Sequence, residues 1–536
     1  MKRNIFKTCV IGLGLLTLAS CDDPMDELTS IIYDRVFSPV DLEARNVNET
    51  TATLQWVASK GAGSYTVEIY ADDSLTFAGT PSQTLTVENN SVDIEGLVYD
   101  TKYSARVMAN DSVDADRNSK WSEVYFRTAA EQHLYDLENE NIAERQVTIS
   151  WPAEIEMDSV AVCLNVNGSD GAAVTSRYLT TEEIAAGTAT ITGLQPETSY
   201  RIHVYLNGKE RGSKTFTTIA DLEGAILVHD TDDFGAMLEA AQNGDVFALY
   251  GGTHVISAEE GESGAGCAVI SKSITIKGIY PTDIPVINGR FQIEDGASLT
   301  VSQIILDGAN NTTGDQAFNY KTAGVTYNTL DVQNCEIRNF TKGLLYLNVS
   351  AVINTVTFNN CLIHDIECNS GDFYDSRLGL IIESNITNST IYHCAWARDL
   401  FRIDDPKNNA PAAGYPTLNI SNCTFDDVAN ASGKRLLYVR YPNNVINWSN
   451  NLTTNTVAVF SNQSSTSVPT FSGNAYYNTP NLSSVVEKTN LFTDENAISW
   501  DVDPEYKDAA NGDFTIQNED VSTRQIGDPR WYTAQE

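Results

Sequence analysis

The sequence predicts an all-β chain in three parts: two β-sandwich modules, then a solenoid of short parallel strands filling the C-terminal half. Three observations lead there. Five segments, LDVQNCEIRNF, VTFNNCLIHDI, SNITNSTIYHC, LNISNCTFDDV and INWSNNLTTN, each set one asparagine (Asn334, Asn360, Asn388, Asn422, Asn450) between two runs of β-forming residues. Their spacings of 26, 28, 34 and 28 residues are too long for a hairpin meander and too irregular for a helical repeat, but suit a coil of several strands with variable loops. Upstream, a longer repeat relates Trp56 to Trp151 after 95 residues and Tyr103 to Tyr200 after 97, the period of a sandwich module.

At the N-terminus, Lys2, Arg3 and Lys7 precede the apolar run Val10–Leu18, which has the length of a signal-peptide core and is too short to span a bilayer. The following Leu18-Ala19-Ser20-Cys21 resembles a bacterial lipobox, which implies a cleaved leader over 1–20 and a lipidated Cys21. Asp22, Asp23, Asp26 and Glu27 resemble the surface-export signal of Bacteroidetes lipoproteins. The resemblance implies a lipidated acidic linker over 21–37 and anchorage in the cell outer membrane, facing the exterior. A plain solvated linker is the alternative, and in enterobacterial lipoproteins an Asp at that place favours inner-membrane retention.

Residues 38–130 and 131–220 carry matching marks: alternating strands ending LQW and TISW, and the patterns Leu97, Thr101, Tyr103 and Leu194, Thr198, Tyr200. These resemble fibronectin type III domains, down to Trp121-Ser122 and the Phe-x-Thr endings at Phe126 and Phe216. The resemblance implies that Trp56, Trp151, Tyr103 and Tyr200 are core residues and that the modules are spacers rather than binding platforms.

Over 221–536 the texture changes. Thr231–Leu249 reads as an amphipathic helix with Phe234, Leu238 and Ala241 on one face, broken at Asn243-Gly244 before a strand. Coils follow at Ser273–Ile279, at Ser298–Leu306 and through the asparagine repeats. An asparagine at a bend accepts a left-handed turn and can hydrogen-bond to its counterpart in the next coil. This ladder resembles that of the pectate-lyase-like right-handed parallel β-helix, in which an N-terminal helix caps the first coil. The closing segment, with Asp503-Pro504, Asn511-Gly512-Asp513-Phe514 and Gly527-Asp528-Pro529-Arg530-Trp531, resembles that of β-helix lipoproteins from Bacteroidetes polysaccharide-utilisation systems.

Of nine cysteines, Cys9 lies in the leader, and Cys335, Cys361 and Cys423 each directly follow a ladder asparagine, so they read as a stack of small buried thiols. There is no CxxC pair to suggest zinc. The balance of 34 Lys+Arg against 71 Asp+Glu, a net charge of −37, excludes nucleic acid as an expected partner. HExxH, GxSxG, P-loop and GxGxxG motifs are absent, as are the usual pectate lyase segments and, taken together as a set, the polygalacturonase marks Asn-Thr-Asp, Asp-Asp, Gly-His-Gly and Arg-x-Lys. His364 and His393 sit at comparable positions of successive coils and read as a surface pair.

What remains is the outer face of one strand per coil. The runs GLLYLNV (343–349), LGLIIES (378–384), DLFRIDD (399–405) and RLLYVRY (435–441) read as equivalent strands. With Leu345, Leu380, Phe401 and Leu437 inward beside Leu347, Ile382, Ile403 and Val439, alternation sets Tyr346, Ile381, Arg402 and Tyr438 in one outward column. Asn348, Glu383, Asp404 and Arg440 form the next. Residues 338–440 hold 9 Lys+Arg and 10 Asp+Glu against 25 and 61 elsewhere, so the acidic chain becomes balanced there. The inserts Glu367–Arg377 and Asp405–Pro416 are expected to wall this face into a groove.

Three readings of the face stay open. It is a surface ion network; or a polysaccharide groove of Tyr346, Asn348, Glu383, Arg402, Asp404, Tyr438 and Arg440; or a lyase or hydrolase site. In the last, Asn348, Glu383 and Asp404 hold Ca2+ and Arg402 or Arg440 acts as base or charge stabiliser. The resemblances favour a surface lipoprotein that binds glycan, uronic-acid polymers among the candidates, beside glycan-transport proteins. A structural adhesin is the remaining class.

Overall fold

Trp56 and Trp151, each 2% exposed, sit in two separate apolar cores. Both cores are built alike. In the first, a three-stranded sheet (Val40–Arg45, Ala52–Val57, Ser91–Ile94) faces a four-stranded one (Gln83–Val87, Ala62–Ala71, Lys102–Asp111, Ser122–Arg127). The second has a two-stranded sheet (Gln146–Ser150, Thr188–Thr192) and a four-stranded one (Ser169–Tyr178, Ser159–Val166, Ser199–Leu206, Lys209–Thr217). In each, the tyrosine of the repeated Leu-x-x-x-Thr-x-Tyr pattern closes a corner: the Val98 amide donates to Tyr103 Oη at 2.9 Å and the Gln195 amide to Tyr200 Oη at 2.9 Å. The computed structural model describes residues 34–258, 264–311, 316–407 and 414–532; the expected leader over 1–20, Cys21 and its acidic neighbours lie outside these. The chain divides into two compact units, 1–132 with 205–212, and 133–204 with 213–536.

In the second unit three parallel sheets run through the C-terminal part, of ten, nine and seven strands among the described residues. One apolar cluster from Val228 to Phe492 fills the space between them. The helix Phe234–Glu239, capped by Asp233 accepting from the Ala236 amide at 3.0 Å, buries Phe234 and Leu238 in this cluster and covers its first coil. Its short length reflects the break at Asn243-Gly244 that precedes the strand Val246–Leu249.

The asparagine ladder forms, and every rung is left-handed, with φ between 50° and 55° from Asn334 to Asn450. Each side-chain amide reaches the coil before it: Asn360 Nδ2 to Asn334 Oδ1 at 2.7 Å, Asn422 to Asn388 at 3.1 Å, and Asn450 to Asn422 at 2.8 Å. The step between Asn360 and Asn388 departs from the expected pairing. Asn388 Nδ2 donates instead to Asn359 Oδ1 at 2.8 Å, while Asn360 Oδ1 accepts from the guanidinium of Arg530 at 2.8 Å. Gln303 (φ 55°) and Gly473 (φ 71°) hold the same corner at the two ends; neither is an asparagine, so the repeat did not reveal them.

Beside the ladder, Cys335, Cys361 and Cys423 are buried free thiols, in one column with Ser389, Asn451 and Asn474. The Cys361 amide donates to Ser389 Oγ at 3.0 Å and the Cys423 amide to Asn451 Oδ1 at 2.9 Å, so the column mixes thiols with polar atoms that each take a backbone partner. The closing segment straps the nine-stranded sheet. Phe514 lies 5.0 Å from the Tyr392 ring, and the buried Asp528 accepts from Thr390 Oγ1 at 2.7 Å. Burial pushes the Asp528 carboxyl up from its usual range.

Replacing Asn388 by Leu removes a donor to Asn359 and an acceptor from Asn422 at a backbone site that disfavours branched side chains. Each lost partner should cost about 1–3 kcal/mol. The expected outcome in a thermal melt is early unfolding of the β-helix with the sandwich transitions unmoved; a melt unchanged throughout would show that the ladder contributes nothing.

Candidate functional site

Register decides which side chains share a face, and the structure revises one strand of the expected set. Leu345 pairs with Tyr374, Tyr374 with Phe401, and Phe401 with Leu437, so the seven-stranded sheet takes its strand from Tyr374–Ser376. The run Leu380–Thr387 belongs to the ten-stranded sheet, between Val352–Asn359 and Thr417–Ser421. Leu380 is buried there rather than in the row of Leu345, Ile381 is fully buried rather than outward, and Ile382 is 36% exposed rather than inward. Glu383 lies beside Thr355 and Thr417, accepting from Asn419 Nδ2 at 3.3 Å, and is not a member of the site. Asp375 and Arg377, which the sequence placed in a wall, take the vacated positions.

The corrected columns are Tyr346, Asp375, Arg402, Tyr438 and, two residues further along each strand, Asn348, Arg377, Asp404, Arg440. Backbone bonds carry the register to the second column: the amides of Arg377, Asp404 and Arg440 donate to the carbonyls of Leu347, Ser376 and Ile403. A cavity of about 700 Å³ opens over it, lined by Asn348, Arg377, Leu378, Asp404, Asp405, Pro406, Lys407 and Arg440.

Within the face the carboxylates lie beneath and the guanidiniums on top. The side chains of Asp375, Asp372 and Asp404 are 0%, 3% and 11% exposed, against 20% for Arg402, 30% for Arg377 and 39% for Arg440. Arg440 grips Asp404 through Nε at 2.7 Å and Nη2 at 2.6 Å, and Arg377 grips Asp375 through Nε at 2.9 Å and Nη2 at 2.6 Å. Both bind by the same edge, which leaves Nη1 of each without a hydrogen bond among the described residues. Arg402 is spent differently, bridging Asp372 at 2.9 Å and Asp404 at 2.8 Å.

The electrostatics follow the geometry. Burial alone would lower Arg402, but Asp404 and Asp372 outweigh it and hold the guanidinium firmly charged; for Arg440 the Asp404 contact itself raises the pKa. Burial opposes ionisation of Asp404, yet Arg440 and Arg402 hold its carboxyl below the usual range. At Asp375 burial prevails over Arg377 and pushes the carboxyl up. A base role for Arg402 or Arg440 is thus opposed by the same contacts that orient them. The three proposed calcium ligands do not assemble, since Glu383 is on another sheet and Asp404 is already enclosed by two guanidiniums. Tyr438 is no open platform either: Arg435 and Arg440 lie 3.8 and 4.8 Å from its ring centre.

A second polar cluster lies on the nine-stranded sheet. His364 pairs in register with Tyr392, not with His393, and the two histidines meet instead through Asp365. His364 Nδ1 is 2.7 Å from Asp365 Oδ2 and its Nε2 is 3.2 Å from Glu336, while His393 Nδ1 is 2.6 Å from Asp365 Oδ1. Asp365 and His393 are themselves left-handed corner residues, φ 53° and 49°, in a second ladder that continues through Asp427, Asn455 and Asn478. Burial would lower the His364 pKa, but the bonds to Glu336 and Asp365 outweigh it and raise it.

Three family models match parts of the chain: a fibronectin type III domain over 37–125, a domain of unknown function (DUF4957) over 261–394 and another (DUF5123) over 418–531. Human tenascin-N is 26% identical over 193 residues, which are 35% of this chain and 14% of that protein. Among solved structures, a two-domain fibronectin type III segment of chicken tenascin is 20% identical, covering 33% of this chain and 96% of that one with a TM-score of 0.22. A fibronectin type III domain of human collagen alpha-1(XX) is 20% identical, covering 19% of this chain and 94% of that one with a TM-score of 0.16. The two unknown-function matches fall on the parallel sheets: the first spans Tyr346, Asp375 and Arg377, and the second Tyr438, Arg440 and the closing strap.

The raised His364 pKa gives a pH signature. Its stabilising contribution is complete below the unfolded value of about 6.5 and fades as pH climbs through the higher folded value. The melting temperatures of the parent and His364→Gln should therefore differ more at about pH 5.5 than at about pH 8.5; an equal difference at both would show that the imidazolium contributes nothing.

Proposed function

We propose that this protein is a surface lipoprotein of a glycan-utilisation system that captures polysaccharide along the outer face of its seven-stranded sheet. The observation that carries the reading is the layering of that face. Carboxylates are buried below and guanidinium edges are exposed above, so the surface presents charged donors, already oriented, over a cavity long enough to follow several coils. Such a face suits hydroxyl and carboxylate or sulfate acceptors of an anionic sugar polymer lying across the strands. It also resolves the tension between an acidic chain and an acidic ligand, because the site repels less than the rest of the molecule.

Capture is favoured over cleavage. Arg402 and Arg440 are held protonated, and the residues expected to hold calcium are dispersed, so no acid–base step is routed through them. An extracellular adhesion role is the second reading; the fibronectin type III domain and the likeness to tenascin-N support it. Among the described residues no helix is long and apolar enough to cross a membrane. In this reading attachment rests on Cys21, and Cys21→Ala should release the processed protein from the membrane fraction; a processed variant that still sediments with membranes would contradict the anchor.

Affinity electrophoresis against a panel of neutral, uronate and sulfated polysaccharides tests the site. Arg440→Ala should weaken retardation by an anionic glycan several-fold with little change in melting temperature, since it removes about 1.5–3 kcal/mol of charged hydrogen bonding while Asp404 keeps Arg402; Arg377→Ala should weaken retardation as much and also lower the melting temperature, because it leaves the fully buried Asp375 without its guanidinium. Arg402→Ala should behave differently. It strips the counter-charge from buried Asp372 and Asp404, at a cost of about 3–5 kcal/mol of stability. Retardation by every glycan equal to that of the parent in both exposed-arginine variants would remove the proposal.

A further inference from the structure

The second sandwich carries a cluster that the capture reading does not use. On the outer side of its four-stranded sheet, Cys163 and His203 stand on adjacent strands, Ser159–Val166 and Ser199–Leu206, and Asp170 reaches them from the neighbouring strand Ser169–Tyr178. Val162, Ile202 and Val204 fill the core, so alternation turns Cys163 and His203 the other way. Cys163 Sγ is 3.9 Å from His203 Nε2, which is 3.1 Å from Asp170 Oδ1, and one donor atom from each residue lies within 4.8 Å of the others.

We infer that Cys163, His203 and Asp170 form a binding site for a divalent transition-metal ion, with Zn2+ the expected occupant. Tetrahedral zinc with bonds of about 2.3 Å to sulfur and 2.0–2.1 Å to nitrogen sets its ligand atoms roughly 3.5 Å apart; the Cys163–His203 and His203–Asp170 separations of 3.9 and 3.1 Å lie within tenths of an ångström of that spacing, and all three donor atoms lie within 4.8 Å of one another. The donor set selects the metal class: thiolate and imidazole favour zinc over calcium or magnesium, which take oxygen ligands. Cys163 and His203 are 9% and 5% exposed, whereas Asp170 is more than half exposed, so an ion enters from the solvent side and keeps a water as its fourth ligand. Arg201 Nη1, 2.9 Å from Asp170 Oδ1, supplies the outer hydrogen bond that ligating carboxylates need, and it is tethered in turn by the Gly168 carbonyl at 3.1 Å.

Binding converts the Cys163 thiol to a thiolate, forms the metal–sulfur bond and releases one proton to solvent. The site differs from the other described cysteines. Cys335, Cys361, Cys368, Cys394 and Cys423 are buried inside the β-helix, and Cys267 belongs to no comparable group among the described residues.

Titration of the full chain with Co2+ alone reads the site directly. The expected result is saturation at one ion with a thiolate-to-cobalt charge-transfer band, displaced by Zn2+, and loss of the band in Cys163→Ser with at least tenfold weaker binding in His203→Ala. Cys267→Ser should retain the full band. Should either site variant misfold, the parent suffices: Zn2+ should slow alkylation of Cys163 by iodoacetamide, located by peptide mass spectrometry. Absence of the band, its persistence in Cys163→Ser, or alkylation of Cys163 indifferent to Zn2+ each overturns the site.

Discussion

Every coil of the C-terminal domain must bend, and a bend stacked between neighbouring coils leaves backbone groups that need partners. The left-handed corner residue meets this demand twice over. Its own amide donates to the next coil, as Asn388 does to the Ser421 carbonyl, and its side chain bridges to the coil before. A second row of left-handed corners from Asn339 to Asn478 runs along the nine-stranded sheet, with side chains bridging coils at His393–Asp365 and Asn478–Asn455. Since each corner is locked to the next, coils stay in vertical register however long the loops between them are. The outward columns inherit that register, and the layered charged face is a consequence of it.

Much of this was legible in the residues. The asparagines were visible because few side chains accept φ near 50° without strain, and the tyrosines because a corner hydrogen bond demands that residue at that place. The strand Tyr374–Ser376 was not legible, for three physical reasons. It is three residues long, its inward positions hold Tyr374 and Ser376 instead of aliphatic groups, and Tyr374 satisfies its hydroxyl on Ser384 Oγ at 2.7 Å inside the core. The neighbouring Leu380–Thr387 had the apolar run expected of a core strand, and it is one, but in another sheet. Alternation tells which way a side chain points; it does not tell which sheet the strand joins. That gap substituted Glu383 for Arg377 and put Glu383 into the calcium trio of the lyase reading, one of the three that the sequence left open.

Layering explains why the face tolerates so many charges. Two carboxylates, Asp372 and Asp404, share Arg402, and each outer arginine is clamped by one edge, so no guanidinium has to be ordered at the moment a ligand arrives. The expected calcium trio is broken up by the same arrangement, because Asp404 is already enclosed by Arg402 and Arg440 while Glu383 stands on another sheet. In the second sandwich the logic is reversed: Cys163, His203 and Asp170 converge beside a single guanidinium, that of Arg201, which bonds the carboxylate oxygen that also faces His203.

The most direct measurement is a crystal structure of the full chain soaked with an oligosaccharide of a uronate polymer that it retards. The account predicts sugar density across Asn348, Arg377, Asp404 and Arg440, with a ligand carboxylate against the free Nη1 edge of Arg377 or Arg440. Sugar bound on another sheet, or a register in which Glu383 rather than Arg377 stands beside Asp404, would contradict it.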